Sequence, residues 1–204
     1  MKQNAILPEV SYTFSDYFKM RISTEEVLNY FGYSKKNERI KLPEFQGELP
    51  TIQALDEKIE EVLIHISLES EVTRREFLIA PVVFEVRHLT KAKLNSEYWI
   101  EYNHQLRGSL DYFLRDERNL LVVEAKNADL TRGFTQLAVE MIALDKSDEE
   151  TQKSIYGAVT TGREWHFGKL DRKTKIISQS IESFAIPNNL EQIVRILVGI
   201  LEEK

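Results

Sequence analysis

The stretch Leu120-Leu121-Val122-Val123-Glu124-Ala125-Lys126 decides how this chain is read. Side chains alternate along a strand, so Leu120, Val122, Glu124 and Lys126 share one face while Leu121, Val123 and Ala125 share the other. Both faces begin apolar, which predicts a strand buried on two sides. A carboxylate and an ammonium at the end of such a strand cost desolvation energy. They are tolerated when they pair, or when a metal ion neutralises the acid. Asp111, on the preceding segment, adds a second carboxylate, and the three charges together point to a metal site.

Outward from this strand, periodicity lays out the rest. Glu97 to Gln105 and Gly108 to Arg115 read as strands that form an antiparallel meander with Asn119 to Lys126, the last connection being the turn Arg115-Asp116-Glu117-Arg118-Asn119. After the meander, Asp129 or Thr131 caps a helix to about Lys146, with Phe134, Leu137, Ala138, Met141, Ile142 and Leu144 as its apolar positions. Upstream, Leu55, Ile59, Val62, Leu63 and Ile66 predict an amphipathic helix within Gln53 to Leu68. A further helix is predicted over Glu71 to His88, kinked or split by Pro81, which lacks a backbone donor. Ser23 or Thr24 starts a short helix that Gly32 ends. Downstream, Ser154 to Thr161, Glu164 to Leu170 and Lys173 to Ser180 read as strands, and Asn188 or Asn189 begins a C-terminal helix carrying Leu190, Ile193, Leu197 and Ile200.

The 204 residues, 42% of them hydrophobic, suffice for one core. Cysteine is absent, which excludes disulfides and cysteine zinc sites. Met1 to Val10 has no apolar signal-like region, and apolar runs such as Ile79 to Phe84 are far shorter than a membrane span, so a cytoplasmic protein with no membrane partner is expected. A net charge of -6 requires that any polyanion be met by a local basic surface, for which Arg74, Arg75 and Arg132 are the nearest candidates. The histidines at 65, 88, 104 and 166 lack metal-ligand spacing and read as structural. Residues 1–46, rich in aromatics and charges, are set apart as an N-terminal extension and candidate dimerisation segment before a domain at 47–204.

The motif Gly108-Ser109-Leu110-Asp111-Tyr112, with twelve residues between Asp111 and the Glu124 of Glu124-Ala125-Lys126, resembles the PD-(D/E)XK nuclease superfamily in its Gly-x-x-Asp-Tyr version. Thr161-Gly162-Arg163-Glu164-Trp165-His166-Phe167 is similar to the Thr-x-Gly-x-x-Trp-x-Phe turn of several subfamilies. Ser70-Glu71-Val72-Thr73-Arg74 with Ile79-Ala80-Pro81 resembles the leading helix of type I restriction enzyme R-subunit nuclease domains. The resemblance covers Ser70 to Leu170 and implies an α/β, restriction-endonuclease-like core: a mixed central sheet flanked by helices.

That resemblance implies a metal-dependent deoxyribonuclease, with Mg²⁺, or Mn²⁺ in its place, held by Asp111, Glu124 and the carbonyl of Ala125. Hard divalent cations prefer such oxygen ligands and supply both charge neutralisation and an activated water. Lys126 then either deprotonates or orients the water, or stabilises the phosphate as a cation. Gln136 matches the glutamine that touches the site or the scissile phosphate in many members. Glu71 matches the family's helix carboxylate, with Glu76 as its rival. Expected partners are DNA, a second copy of the chain, and a protein that supplies specificity. The alternative is a non-catalytic nuclease-fold scaffold or nucleic-acid-binding accessory protein of a defence or repair system.

Overall fold

The computed structural model describes residues 7, 10–116, 120–126, 129–147 and 154–203. The described residues form one seven-stranded mixed sheet between two helical layers. Its strands are β1 (Ser34–Glu38), β2 (Lys93–Asn103), β3 (Leu106–Arg115), β4 (Leu120–Ala125), β5 (Ser154–Thr160), β6 (Glu164–Asp171) and β7 (Ile176–Ala185). The order across the sheet is β1-β7-β6-β5-β4-β3-β2. β4 pairs parallel with β5 and β1 parallel with β7; every other pairing is antiparallel. The expected meander is therefore β2-β3-β4. Glu117, Arg118 and Asn119, in the turn expected before β4, lie outside the described residues.

The helices are α1 (Phe14–Lys19), α2 (Thr24–Tyr30), α3 (Ile52–His65), α4 (Glu71–Arg74), α5 (Ala80–Thr90), α6 (Leu130–Ser147) and α7 (Leu190–Glu202), with a wide π turn (Arg75–Ile79) joining α4 to α5. One layer, built from α3, the π turn, α5 and α7, packs Leu55, Ile59, Leu78, Val82 and Leu197 against Leu121, Val123 and Ala125 of β4. The other layer, of α1, α2 and α6, packs Phe14, Leu28, Phe134 and Leu137 against Leu110, Phe113 and Val159. β4 is thus covered on both faces, as its apolar run requires. Along α6 every residue from Gly133 to Asp145 is buried.

The helix expected over Glu71 to His88 is divided by the π turn just before Pro81, which lies in the first turn of α5. A proline lacks the donor for the carbonyl four residues back and clashes with it. The preceding π turn absorbs this, its Ala80 N–H bonding to the Arg75 carbonyl five residues away.

Two elements were not anticipated. Both α1 and β1 fall within residues 1–46, where Phe14, Tyr17, Val27 and Leu28 are fully buried against α6 and β3. β1, Ser-Lys-Lys-Asn-Glu, is polar on both faces, and its strand geometry comes from pairing with β7. β7 itself begins at Ile176, later than expected, because Asp171 accepts the N–H groups of Lys173 and Thr174 in a tight turn. No helix among the described residues is long and apolar enough to cross a membrane.

Candidate functional site

The site forms where the β3–β4 ladder opens. Its last backbone pair toward the end of β4 is Tyr112 with Val123. One residue further, the Asp111 side chain takes over, its Oδ2 accepting the Ala125 N–H at 2.8 Å. A change of phase aims Asp111 there. Leu110 packs in the α6 layer and Tyr112 in the opposite one, although a regular strand would put them on the same face. The partner strand breaks at the same level: Leu94 and Ile100 pack against opposite layers, and Glu97, opposite Asp111, has φ 51°.

Glu124 points to the other layer from Val123 and Ala125, as alternation demands, and meets α6. It is 1% exposed. Its Oε1 accepts from Lys126 Nζ at 2.5 Å and from Gln136 Nε2 at 2.6 Å. The same Gln136 nitrogen donates to Oε1 of Glu140, one helical turn on, at 2.9 Å. Gln136 is therefore a buried clamp on two glutamates, with both amide hydrogens committed. Lys126 follows the end of β4, its N–H bonded to the Thr160 carbonyl at 2.8 Å and its ammonium 5.0 Å from the centre of the Phe18 ring. Gly133 makes room for its stem: a Cβ there would come within 2.9 Å of Lys126 Cγ and 2.7 Å of Val159 Cγ2.

Asp111 has a second partner, Arg75 of the π turn, whose Nη1 donates to Oδ1 at 3.3 Å while Nη2 donates to Glu97 at 2.6 Å. The guanidinium also lies 5.9 Å from the centre of the Tyr112 ring. Arg75 thus stands where the resemblance places a helix carboxylate. No hydrogen bond or ion pair among the described residues joins Glu71 or Glu76 to Asp111, Glu124 or Lys126. Glu71 sits in the first turn of α4, behind the Ser70 cap.

Burial sets the electrostatics. It pushes Asp111 above the ordinary carboxylate range despite the Ala125 N–H and the charges of Arg75 and Lys126. Burial and the charge of Asp111 push Glu124 up to about 8 against the pull of Lys126. Glu140 is raised well above the carboxylate range, by burial and then by the charge of Glu124. Burial depresses Lys126, but the charge of Glu124 and its hydrogen bond outweigh this and hold the ammonium above its usual range. Near neutral pH the metal-free glutamate pair keeps at least one proton, and Lys126 is a cation.

Among the described residues, Glu124 Oε2, Gln136 Oε1 and Glu140 Oε2 are buried without an N–H or O–H donor from another kind of group, while the two glutamate carboxyl groups hydrogen-bond each other. An orphaned carboxylate oxygen beside a second acid is a donor set suited to a hard divalent cation that keeps several waters. No group of three or more His, Cys, Asp or Glu side chains among the described residues converges as a metal cage. At the same end of the β4–β5 pair, a cavity of about 680 Å³ is lined by Arg74, Leu130, Thr131, Thr161, Arg163 and His166.

Glu140 and Arg75 extend the site beyond the residues that the motifs marked. Glu140 has a signal in the sequence, since it sits in the apolar phase of Leu137, Met141 and Leu144 and four residues after Gln136. The sequence marks Arg75 only as a basic residue near the site, because its pairing with Asp111 depends on a strand 36 positions away. Compared with known families and with curated proteins, the chain matches no family model and no protein.

Proposed function

We propose that the chain is a metal-dependent endodeoxyribonuclease of the PD-(D/E)XK, restriction-endonuclease-like type. The observation that carries this reading is the bond from the Ala125 N–H to Asp111, which gathers Asp111, Glu124 and Lys126 at the open end of a buried strand pair. Asp111 and Glu124, with the Ala125 carbonyl, would hold Mg²⁺ or Mn²⁺. When bound, the cation neutralises phosphate charge and lowers the pKa of a coordinated water.

Lys126, held as an ammonium by Glu124, orients that water or stabilises the developing phosphate charge. Gln136 serves Glu124 rather than the phosphate, since its donors are committed. The cavity at this end of the sheet sets Arg74 and Arg163 against Asp129 and Glu164, so a chain of net charge -6 has to meet a phosphate backbone chiefly through the bound cation and Lys126. A homodimer, or a partner protein that supplies specificity, fits a chain without a separate DNA-reading motif.

One observation favours a second reading, a non-catalytic nuclease-fold scaffold: Arg75 and Lys126 already neutralise Asp111 and Glu124 in the absence of metal. The experiment that separates the two is cleavage of labelled single-stranded, duplex and branched DNA in Mg²⁺ or Mn²⁺, with Asp111→Ala and Lys126→Ala alongside. The nuclease reading expects cleavage that both substitutions abolish; DNA binding without cleavage by the unaltered protein supports the scaffold.

A further inference from the structure

Glu140 is completely buried in the middle of α6, one turn after Gln136 and among the apolar residues Leu137, Val139, Met141 and Leu144. With no surface open to solvent, it has no route to a substrate, yet an acid here costs several kcal/mol unless it is paired. Its Oε1 accepts one hydrogen of the Gln136 amide at 2.9 Å, and Glu124 Oε1 accepts from the same nitrogen at 2.6 Å. The amide nitrogen lies within hydrogen-bond distance of one oxygen of each glutamate and gives one hydrogen to each. With Glu124 alone, its second hydrogen has no acceptor in this buried interior. Glu140 supplies that acceptor and so fixes the amide plane.

We propose that Glu140 is a positioning residue for the metal site, fixing the Gln136 amide so that it clamps Glu124 Oε1 and leaves Glu124 Oε2 as the ligand oxygen. This rests on the nuclease reading above. It explains why Glu124 Oε2 is buried without an N–H donor while Oε1 has two. Groups that orient a metal ligand from behind typically change metal affinity by about 10- to 100-fold when removed.

The test is Mn²⁺ binding to the full chain, read by the loss of free-Mn²⁺ paramagnetic resonance signal, for the unaltered protein, Glu140→Gln, Glu140→Met, Gln136→Met and the double Met variant. Methionine fills the glutamate's volume without an acceptor, and Glu140→Met is expected to weaken Mn²⁺ binding by about 10-fold or more. Glutamine keeps an acceptor oxygen for the Gln136 amide, so Glu140→Gln is expected to stay near the unaltered affinity. Because Glu140 acts through Gln136, the double variant is expected to bind no more weakly than Gln136→Met alone. Unaltered affinity in Glu140→Met, or a full additional loss in the double variant, overturns the inference while leaving the nuclease reading standing. Absence of Mn²⁺ binding by the unaltered protein overturns both. Should a Met variant fail to fold, hydrogen exchange of the Gln136 side-chain amide in the metal-free unaltered protein decides: two slowly exchanging protons are expected, and rapid exchange overturns the clamp.

Discussion

Helix α6 carries buried acids at two places, and they are treated in opposite ways. Near its C-terminal end Asp145, with a side chain 2% exposed, accepts from Tyr33 Oη at 2.5 Å, Arg172 Nε at 2.8 Å and Lys175 Nζ at 2.6 Å. Burial raises its pKa, but the bonds from Lys175, Tyr33 and Arg172 win, and the carboxyl lies below its ordinary range. In its middle, Glu140 meets Glu124 of β4: the two share the Gln136 amide, keep orphaned oxygens, and are pushed upward. A satisfied buried acid ties elements together, here β1's neighbour Tyr33 and the β6–β7 turn to α6. An unsatisfied one is poised for something that arrives from outside.

The largest effect that tests this contrast is on activity. Asp111→Ala and Lys126→Ala are each expected to reduce Mg²⁺-dependent cleavage by about 1,000-fold, the scale on which removing a group that stabilises transition-state charge acts. Asp145→Ala is expected to leave turnover per folded molecule unchanged. Turnover normalised to the folded fraction checks both, and an equal loss in Asp145→Ala would erase the distinction.

On stability the order reverses. Asp145→Ala removes the buried carboxylate that Arg172, 12% exposed, shares with Lys175 and Tyr33, and is expected to lower unfolding free energy by about 3 kcal/mol in urea titration. The loss sits at the low end for a broken buried pair because Lys175 is 45% exposed and rehydrates. Glu140→Met, which removes a buried acid and fills its volume, is expected to stabilise the metal-free protein by about 1–2 kcal/mol at pH 8.

The two places also divide the pH axis. With its pKa raised to about 8, Glu124 keeps in the fold a proton that the unfolded chain has lost. Metal-free stability therefore falls as pH rises from the ordinary carboxylate range toward 8, by up to about 1.4 kcal/mol per pH unit for each retained proton. Asp145 acts in the other direction: its contribution is present above the unfolded carboxylate pKa and is lost as pH falls through the lower folded value. Urea midpoints at pH 5.5 and 8 are expected to favour the lower pH without metal, and saturating Mg²⁺ is expected to flatten that decline. The smallest effect concerns Tyr33→Phe, which removes one donor to Asp145 and is expected to cost about 1 kcal/mol. A larger loss would mean that the Tyr33 hydroxyl does more than complete the shell of Asp145.

Much of this was legible in the chain. The apolar run before Glu124, the helical phase of Phe134, Leu137 and Met141, and that of Leu55, Ile59 and Val62 are local signals, and the corresponding elements lie where they point. β1 was not legible, since Ser34 to Glu38 has neither alternation nor β-branched residues and becomes a strand only against β7. Neither was the phase change at Glu97 and Asp111, which depends on two strands bending together. Glu140 was legible as an acid in an apolar phase, yet what it meant required knowing which face of α6 looks at β4.

By itself the sequence determined the order and kind of most elements and placed Glu124 and Lys126 at the end of one strand and Asp111 within the strand before it, because backbone periodicity is a property of neighbouring residues. Only the tertiary structure decided which charges meet: Arg75 rather than Glu71 at Asp111, Gln136 and Glu140 at Glu124, and three donors at Asp145 but orphaned oxygens at the middle of the same helix. Pairing and desolvation depend on distance in space, and residues tens of positions apart acquire that distance when the sheet closes around α6.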